Sequence, residues 1–497
     1  MGAIRETMVS VSVVYVEGDR QPKARFEEEL MASLDYLSVT SQAELLASGQ
    51  VSAVDMAQHS LDIIARHNAD MKAFINVLVD EALTRAASLD TALAKAGQPV
   101  GPLHGVPVAI KDEYAVRGVR TGYGTNAARG PAHEDCEPVR RLRAAGAIII
   151  GITAMPEFGQ WPLTESATHG YTRNPWNRDY STAGSSGGTA AAVASGMVAA
   201  GLGGDGGGSI RLPAAWCNLF GLKVQRGRHS VAPDRNLWRA LGVVGPLTRT
   251  VADSALINDV LASHLPTDQY DADPWPESLT ASLRRDPGRK RILLAEKPAD
   301  GSNPKLDPQV RAALHRMGQV LLDAGHQVDV GNLPKCKLGL SMLGQIAGGV
   351  TDEITRIDAP RLEARTRRFI PLYRMARPIA ESSERKGAEL ARKFWPIFDQ
   401  YDLLLTPTTL TPPVPVGRLD GRGIFGTIAA ALPLTTYTGI WNVLGNPAAA
   451  VPAGFTADGL PLSVQLVGAP HKEPLVVQVA AQIEAAMPWA NRQPPLG

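Results

Sequence analysis

The chain has 497 residues, 44% of them hydrophobic, and its 50 basic and 49 acidic side chains leave a formal charge of +1. That length buries a large core, and a balanced charge without blocks of one sign argues against a polyanion-binding tail and against nucleic acid as a partner. Three isolated cysteines, Cys136, Cys217 and Cys336, fit a reducing compartment and no disulfide framework, and ten histidines without HxxxH, HxH or Cys/His spacing give no metal site.

At the start, residues 8–16 (MVSVSVVYV) have the length of a signal-peptide core. Glu6 precedes them, Glu17, Asp19 and Arg20 follow, and no small-residue cleavage site appears, so the run reads as a strand or an extension. Residues 1–29 are taken as an N-terminal extension and 30–490 as one domain. No uninterrupted apolar stretch reaches the ~18 residues that span a bilayer. The expectation is a cytoplasmic protein with no membrane partner.

Ser52 and Asp55 have capping-box spacing, and Val54, Ala57, Leu61 and Ile64 behind them fall on one helical face. Residues 106–110 (VPVAI) form a short buried strand stopping at Lys111. Residues 139–145 read as a helix closed by Gly146, and 147–152 as another buried strand. β-Branched runs between helices predict an α/β fold: a single large domain whose central mixed, mostly parallel sheet is covered by helices on both faces. The alanine-rich residues 189–200 predict a closely packed helix, and Thr250 with Asp253 caps another that runs to about residue 262. Residues 264–289 are a Pro-rich surface connection, and 291–295, 307–324 and 326–330 form a β-α-β unit. Residues 337–400 are irregular and helical, with Met342, Phe369, Tyr373 and Met375 suited to covering a pocket. A strand at 461–468 and an amphipathic helix at 473–487 close the chain.

Two short motifs carry little weight. Residues 201–206 satisfy the dinucleotide pattern GxGxxG, which requires a strand before it; the pattern here places a helix there, and Pro213 follows closely. Residues 184–188 satisfy GxSxG with Ser186 central, but a nucleophile elbow needs a preceding strand, and residues 173–182 read as a loop.

A longer string decides the chemistry. Residues 184–223 (GSSGGTAAAVASGMVAAGLGGDGGGSIRLPAAWCNLFGLK) resemble the amidase signature family: a GSSGG segment, an alanine-rich helix, then GGS-I-R-x-P-A ending in GLK. Residues 101–112 (GPLHGVPVAIKD) resemble the family's lysine strand, and 173–176 (RNPW), 442–454 (NVLGNPAAAVPAG) and 459–468 (GLPLSVQLVG) match as well. The signature core spans 101–262. The resemblance implies Ser209 as nucleophile, Ser185 as a bridging serine after a cis peptide bond, and Lys111 as general base. It also implies the amides of Gly206, Gly207, Gly208 and Ser209 as oxyanion donors, an Asp205–Arg211 ion pair holding the loop, and Gly159, Gln160 and Trp161 along the substrate pocket. A serine hydroxyl needs an adjacent base. A lysine serves only when neutral, which burial favours, so Lys111 is expected to be enclosed. No metal or cofactor is called for.

Where relatives commonly carry a hydroxyl residue before the loop aspartate and a small polar one after it, this chain has Gly204 and Gly206. After GLK it has Val224-Gln225-Arg226-Gly227 in place of the Pro-Thr-Tyr-Gly of relatives that feed ammonia to charged transfer RNA. The expected function is hydrolysis of a small, largely apolar acyl or aryl amide. A carbamate- or ester-directed hydrolase with the same triad, the A subunit of a glutamine amidotransferase and a silent binding protein are the alternatives; a homodimer is compatible with the sequence.

Overall fold

Along residues 403–405, Leu403 and Leu405 enter one apolar core while Leu404 enters another. Ile292 and Leu294 likewise face one core and Leu293 the other. In the last strand Leu462, Val464 and Leu466 point one way and Val467 the opposite way. Strands with apolar residues on both sides belong to a sheet covered on both faces. The computed structural model describes residues 34–126, 130–235, 237–338, 341–355, 357 and 361–496, and from Tyr36 onward they form one compact unit. The run at residues 8–16, read as a strand or an extension, lies outside the described residues. Among the described residues no helix is long and apolar enough to cross a membrane.

Eleven strands build the main sheet: β1 (Phe74–Val77), β2 (Pro107–Lys111), β3 (Ile148–Thr153), β4 (Ala200–Asp205), β5 (Phe220–Lys223), β6 (Val243–Thr248), β7 (Arg291–Leu294), β8 (Gln327–Val330), β9 (Leu403–Pro407), β10 (Ala448–Phe455) and β11 (Pro461–Gly468). Their order is β1-β3-β2-β4-β6-β5-β10-β11-β9-β7-β8. The sheet is mixed. Parallel ladders form two blocks, β3-β2-β4 and β9-β7-β8. Antiparallel ladders add β1 and fill the middle of the sheet, which was expected to be mixed and mostly parallel. The link from Phe455 to Pro461 is too short for a parallel crossover, which takes a dozen residues or more.

The expected caps are present: the Ser52 hydroxyl accepts from the Asp55 amide at 3.0 Å, and that of Thr250 from the Asp253 amide at 3.1 Å. The β-α-β unit is formed by β7, the helix Pro308–Asp323 and β8. One expectation fails where it matters. The alanine-rich helix covers Gly187–Ala194 and stops, and Ala200–Asp205 is strand β4. Gly196, at φ +75°, follows the helix's last turn and ends it, and the missing Cβ of Gly201 leaves room for Thr189, so helix and strand pack at close range. The GxGxxG glycines Gly201 and Gly203 therefore lie inside a strand, not in a loop after one. Residues 173–182 also hold more order than a loop, since Arg173–Asn174 pairs with Asn177–Ser181.

β2 and β4 are parallel neighbours, so their carboxyl ends, Lys111 and Asp205, come out on the same side of the sheet. The helix Gly187–Ala194 packs on both strands and begins just after Ser185. Carboxyl ends of adjacent strands are where open α/β sheets build sites.

A test of partly buried charge arises at the helix Val251–Leu261, whose first amide donates to the half-buried Glu484 carboxyl at 3.2 Å. Burial pushes Glu484 up to about 7, against an unfolded value of ~4.3. Its folded value is raised, so the associated stability is full at low pH and is lost as pH climbs toward 7. Glu484→Gln, measured by denaturant unfolding, should gain about 1–3 kcal/mol over the native chain at pH 8 and little at pH 4. An equal difference at both pH values would contradict this.

Candidate active site

Every residue of β2 is buried, and Lys111 at its end is 1% exposed. Asp112 then leaves the ladder, and its carboxylate takes the amides of Gly122 at 2.7 Å and Gly124 at 2.8 Å. Burial pushes this carboxyl up to about 7. Lys111 Nζ lies 2.8 Å from Ser185 Oγ and 2.7 Å from Glu113 Oε2. The enclosed lysine is as expected. Its acidic neighbour, Glu113, was not among the expected site residues.

The Gly184–Ser185 peptide is cis, as the resemblance implied. Thr164 Oγ1 braces this turn, donating to Ala183 O at 3.0 Å and accepting from the Gly187 amide at 3.1 Å. Ser186, the centre of the GxSxG match, is buried, and its hydroxyl exchanges hydrogen bonds with the backbone of Gly204 at 3.2 Å.

Beyond β4 the chain turns through Gly206, Gly207 and Gly208 to Ser209, which is 6% exposed. Gly208 has φ +128° and its missing Cβ leaves space for Thr438. Asp205 organises the turn. Its carboxylate accepts from the amides of Gly208 at 2.7 Å and Ile210 at 3.2 Å, and pairs with Arg211 at 2.9 Å. Burial alone would raise the Asp205 carboxyl, but Arg211 holds it well below the usual carboxylate range. Because the Gly208 amide is spent on Asp205, it is not free to serve as an oxyanion donor, contrary to expectation. Gly206, Gly207 and Ser209 have no such acceptor among the described residues.

Ser209 opens onto a cavity of about 620 Å³, a size usual for small-molecule sites. Gly159, Gln160 and Trp161 line it, as expected, with Leu212, Trp238, Met342, Ile346, Phe369, Leu372 and Tyr373. Gly159 would place a Cβ 3.1 Å from Ser185 Oγ. Gln160 is locked by two residues of the helix Ala364–Ala376, accepting from Tyr373 Oη at 2.7 Å and donating to Thr366 Oγ1 at 2.9 Å. Trp161 meets Phe369 edge-on at 5.0 Å. Met375 does not join them: it is 74% exposed and absent from the wall that Phe369 and Tyr373 line. A further wall was not expected, from Ile428, Ala431 and Leu432 in and after the helix Ile424–Ala431. The Ile424, Ile428, Ala431 spacing was its available signal. Val224, Gln225 and Arg226 lie outside the lining; Arg226 instead donates to the carbonyls of Asn442 and Val443 at 2.8 and 2.9 Å. A second cavity of about 650 Å³, with Asp234, Arg239, Asp268 and Arg377 on its walls, contains none of Lys111, Ser185 and Ser209.

Comparison with known proteins decides the family. The amidase family description matches residues 55–477. The chain belongs to the amidase family. It is an enzyme acting on amide bonds. It is 40% identical over 454 residues to AmiA2 of Mycobacterium tuberculosis, covering 90% of this chain and 93% of that one. It is 32% identical over 498 residues to the A subunit of the glutamyl-tRNA(Gln) amidotransferase of Chloroflexus aggregans, covering 94% and 99%. The solved structure of 6-aminohexanoate cyclic dimer hydrolase with its substrate superposes with a TM-score of 0.85 at 28% identity, covering 93% and 99%.

Asp205→Asn leaves the Arg211 guanidinium buried without its charge partner, a change expected to cost about 3–5 kcal/mol by denaturant unfolding. The folded carboxyl is depressed, so its contribution is full above the unfolded value of ~3.9 and fades only as pH falls below that. The gap between native chain and variant should hold from about pH 5 to 8; a gap under about 1 kcal/mol there would show the pair to be dispensable.

Proposed function

We propose that Ser209 attacks the amide carbonyl, with Ser185 and Lys111 carrying the proton, and that the substrate is a small, largely apolar acyl or aryl amide. The observation that supports this best is the 2.8 Å contact between the buried Lys111 Nζ and Ser185 Oγ, in a narrow space that Ser209 also lines. The Ser209 proton passes to Ser185 as the Ser185 proton passes to Lys111. The carbonyl oxygen, negative in the tetrahedral intermediate, takes hydrogen bonds from the amides of Gly206, Gly207 and Ser209. The C–N bond then breaks, and the proton held by Lys111 returns through Ser185 to the leaving nitrogen. Water attacks the Ser209 ester, its proton follows the same route to restore the Ser209 hydroxyl, and the acid leaves. These steps call for neither metal nor cofactor.

The apolar lining supports that substrate class, since each Å² of apolar surface removed from water is worth roughly 25 cal/mol. Glutamine needs partners for an α-amino and an α-carboxylate group. Asp300 on the lining offers a partner for the amino group, but no cationic side chain among the described residues lines the cavity for the carboxylate, and Gln160 is already engaged by Tyr373 and Thr366. The amidotransferase branch is therefore disfavoured, and the chain is proposed to act without partner subunits.

Ser209→Ala should abolish turnover with the fold retained, and a fluorophosphonate should label Ser209; labelling at Ser186 would overturn the assignment. Lys111→Ala should lose at least ~10²-fold; a rate near that of the native chain would make the lysine structural. The purified chain alone should hydrolyse an acyl anilide, with glutamine neither hydrolysed nor competing at millimolar concentration. Glutaminase activity appearing only with partner subunits and charged transfer RNA would place the chain on the other branch.

A further inference from the structure

We propose that Glu113 is a positioning residue of the proton path: it orients the Lys111 amine toward Ser185 and holds the positive charge that Lys111 acquires on taking up the serine proton. The inference rests on the serine mechanism above and adds a residue to it.

The backbone brings Glu113 back onto the lysine that precedes it by two positions. After β2 the Glu113 amide donates to Lys111 O at 2.6 Å and the Tyr114 amide to the same oxygen at 3.1 Å. The Asp112 carboxylate, fastened to Gly122 and Gly124, fixes the turn from the other side. The Glu113 carboxylate thus reaches Nζ at 2.7 Å, with Lys111 1% exposed and Glu113 16%. A neutral amine has two N–H bonds and one lone pair. Donating one N–H to Glu113 restricts rotation about Cε–Nζ and leaves the lone pair for the Ser185 hydroxyl at 2.8 Å. Once protonated, the same nitrogen is an ammonium beside a carboxylate, a charge-assisted contact stronger than a neutral one.

Gly204 makes this possible. A Cβ there would lie 2.7 Å from Glu113 Oε2 and would run into Tyr114 Oη. Any larger residue at 204 has to push the carboxylate from its place. The other ionisable groups nearby have partners of their own: Asp112 holds its two amides with Arg120 beyond it, Asp205 is paired with Arg211, and the Tyr114 hydroxyl is buried and raised by that burial. Asp112 titrates near 7, but it is common to every variant below.

The test follows the rate of fluorophosphonate labelling of Ser209 against pH, which requires no knowledge of the substrate. In Glu113→Gln the charge favouring the ammonium is gone, so the acid limb should move at least about one unit to lower pH, and the plateau should fall about threefold or more with the weaker base. Glu113→Asp should fall between. Gly204→Ala should shift the limb in the same direction, and adding it to Glu113→Gln should shift it no further. A merely structural role would lower the rate at all pH values without moving the limb, and that result, or an unchanged profile, overturns the proposal. If Glu113→Gln does not fold, Glu113→Asp is read by the same criterion. Failure of the native chain to label at Ser209 would refute the serine mechanism instead.

Discussion

The guanidinium of Arg211 has five N–H donors, and the structure uses all of them: two on Asp205, and one each on Thr438 O, Gln465 Oε1 and Asn442 Oδ1. Neither Arg211 nor Asp205 has exposed side-chain surface. A buried ion pair is weak evidence for stability, because desolvation offsets most of the attraction. What the pair contributes here is geometry. Asp205 gathers the amides of the glycine turn, Asn442 returns a hydrogen bond to Asp205 O at 2.8 Å, and Gln465 ties the arrangement to β11. The direction in which Ser209 leaves the turn depends on this network.

The parts of the molecule that sequence could reveal are those whose cause is local. Lys111 ends a strand of five buried residues, the Ser52 and Thr250 caps need only their own first turn, and Gly208 before Ser209 permits a turn that a side chain would block. Several of the features that sequence did not reveal depend on residues far apart. β4 reads as a continuation of an alanine helix until Gly201 is seen packed against Thr189. Asn442 and Gln465 sit in segments that matched the family, but nothing local says that they meet Arg211, 231 and 254 residues away. The Gly208 amide looked free because its acceptor, Asp205, was expected to serve Arg211 alone.

Gly204 and Gly206 show how a departure from the family is absorbed. Each gives up a side chain beside the site, and in each case another residue fills the space. Glu113 and Tyr114 approach Gly204, and the Trp238 ring lies over Gly206, fixed by its Nε1 donating to Phe158 O at 3.0 Å. The glycines and their neighbours are therefore one packing unit, and a hydroxyl restored at either position meets a side chain already there.

This arrangement also separates two environments that the proposed chemistry needs side by side. Trp238, Met342 and Phe369 make the substrate side of Ser209 apolar, which favours binding by buried area and strengthens every hydrogen bond made inside it. Charge would be costly there. The exposed Asp300 stands on the lining of this cavity, but the charged pairs near the site, Lys111 with Glu113 and Asp205 with Arg211, do not line it. Ser209 stands between the two, lining both the apolar cavity and the narrow space that holds Lys111. In the proposed mechanism a proton thus moves on one side of the serine while the substrate remains in an apolar pocket on the other, and the thin backbone of the glycine turn lets the two environments lie so close.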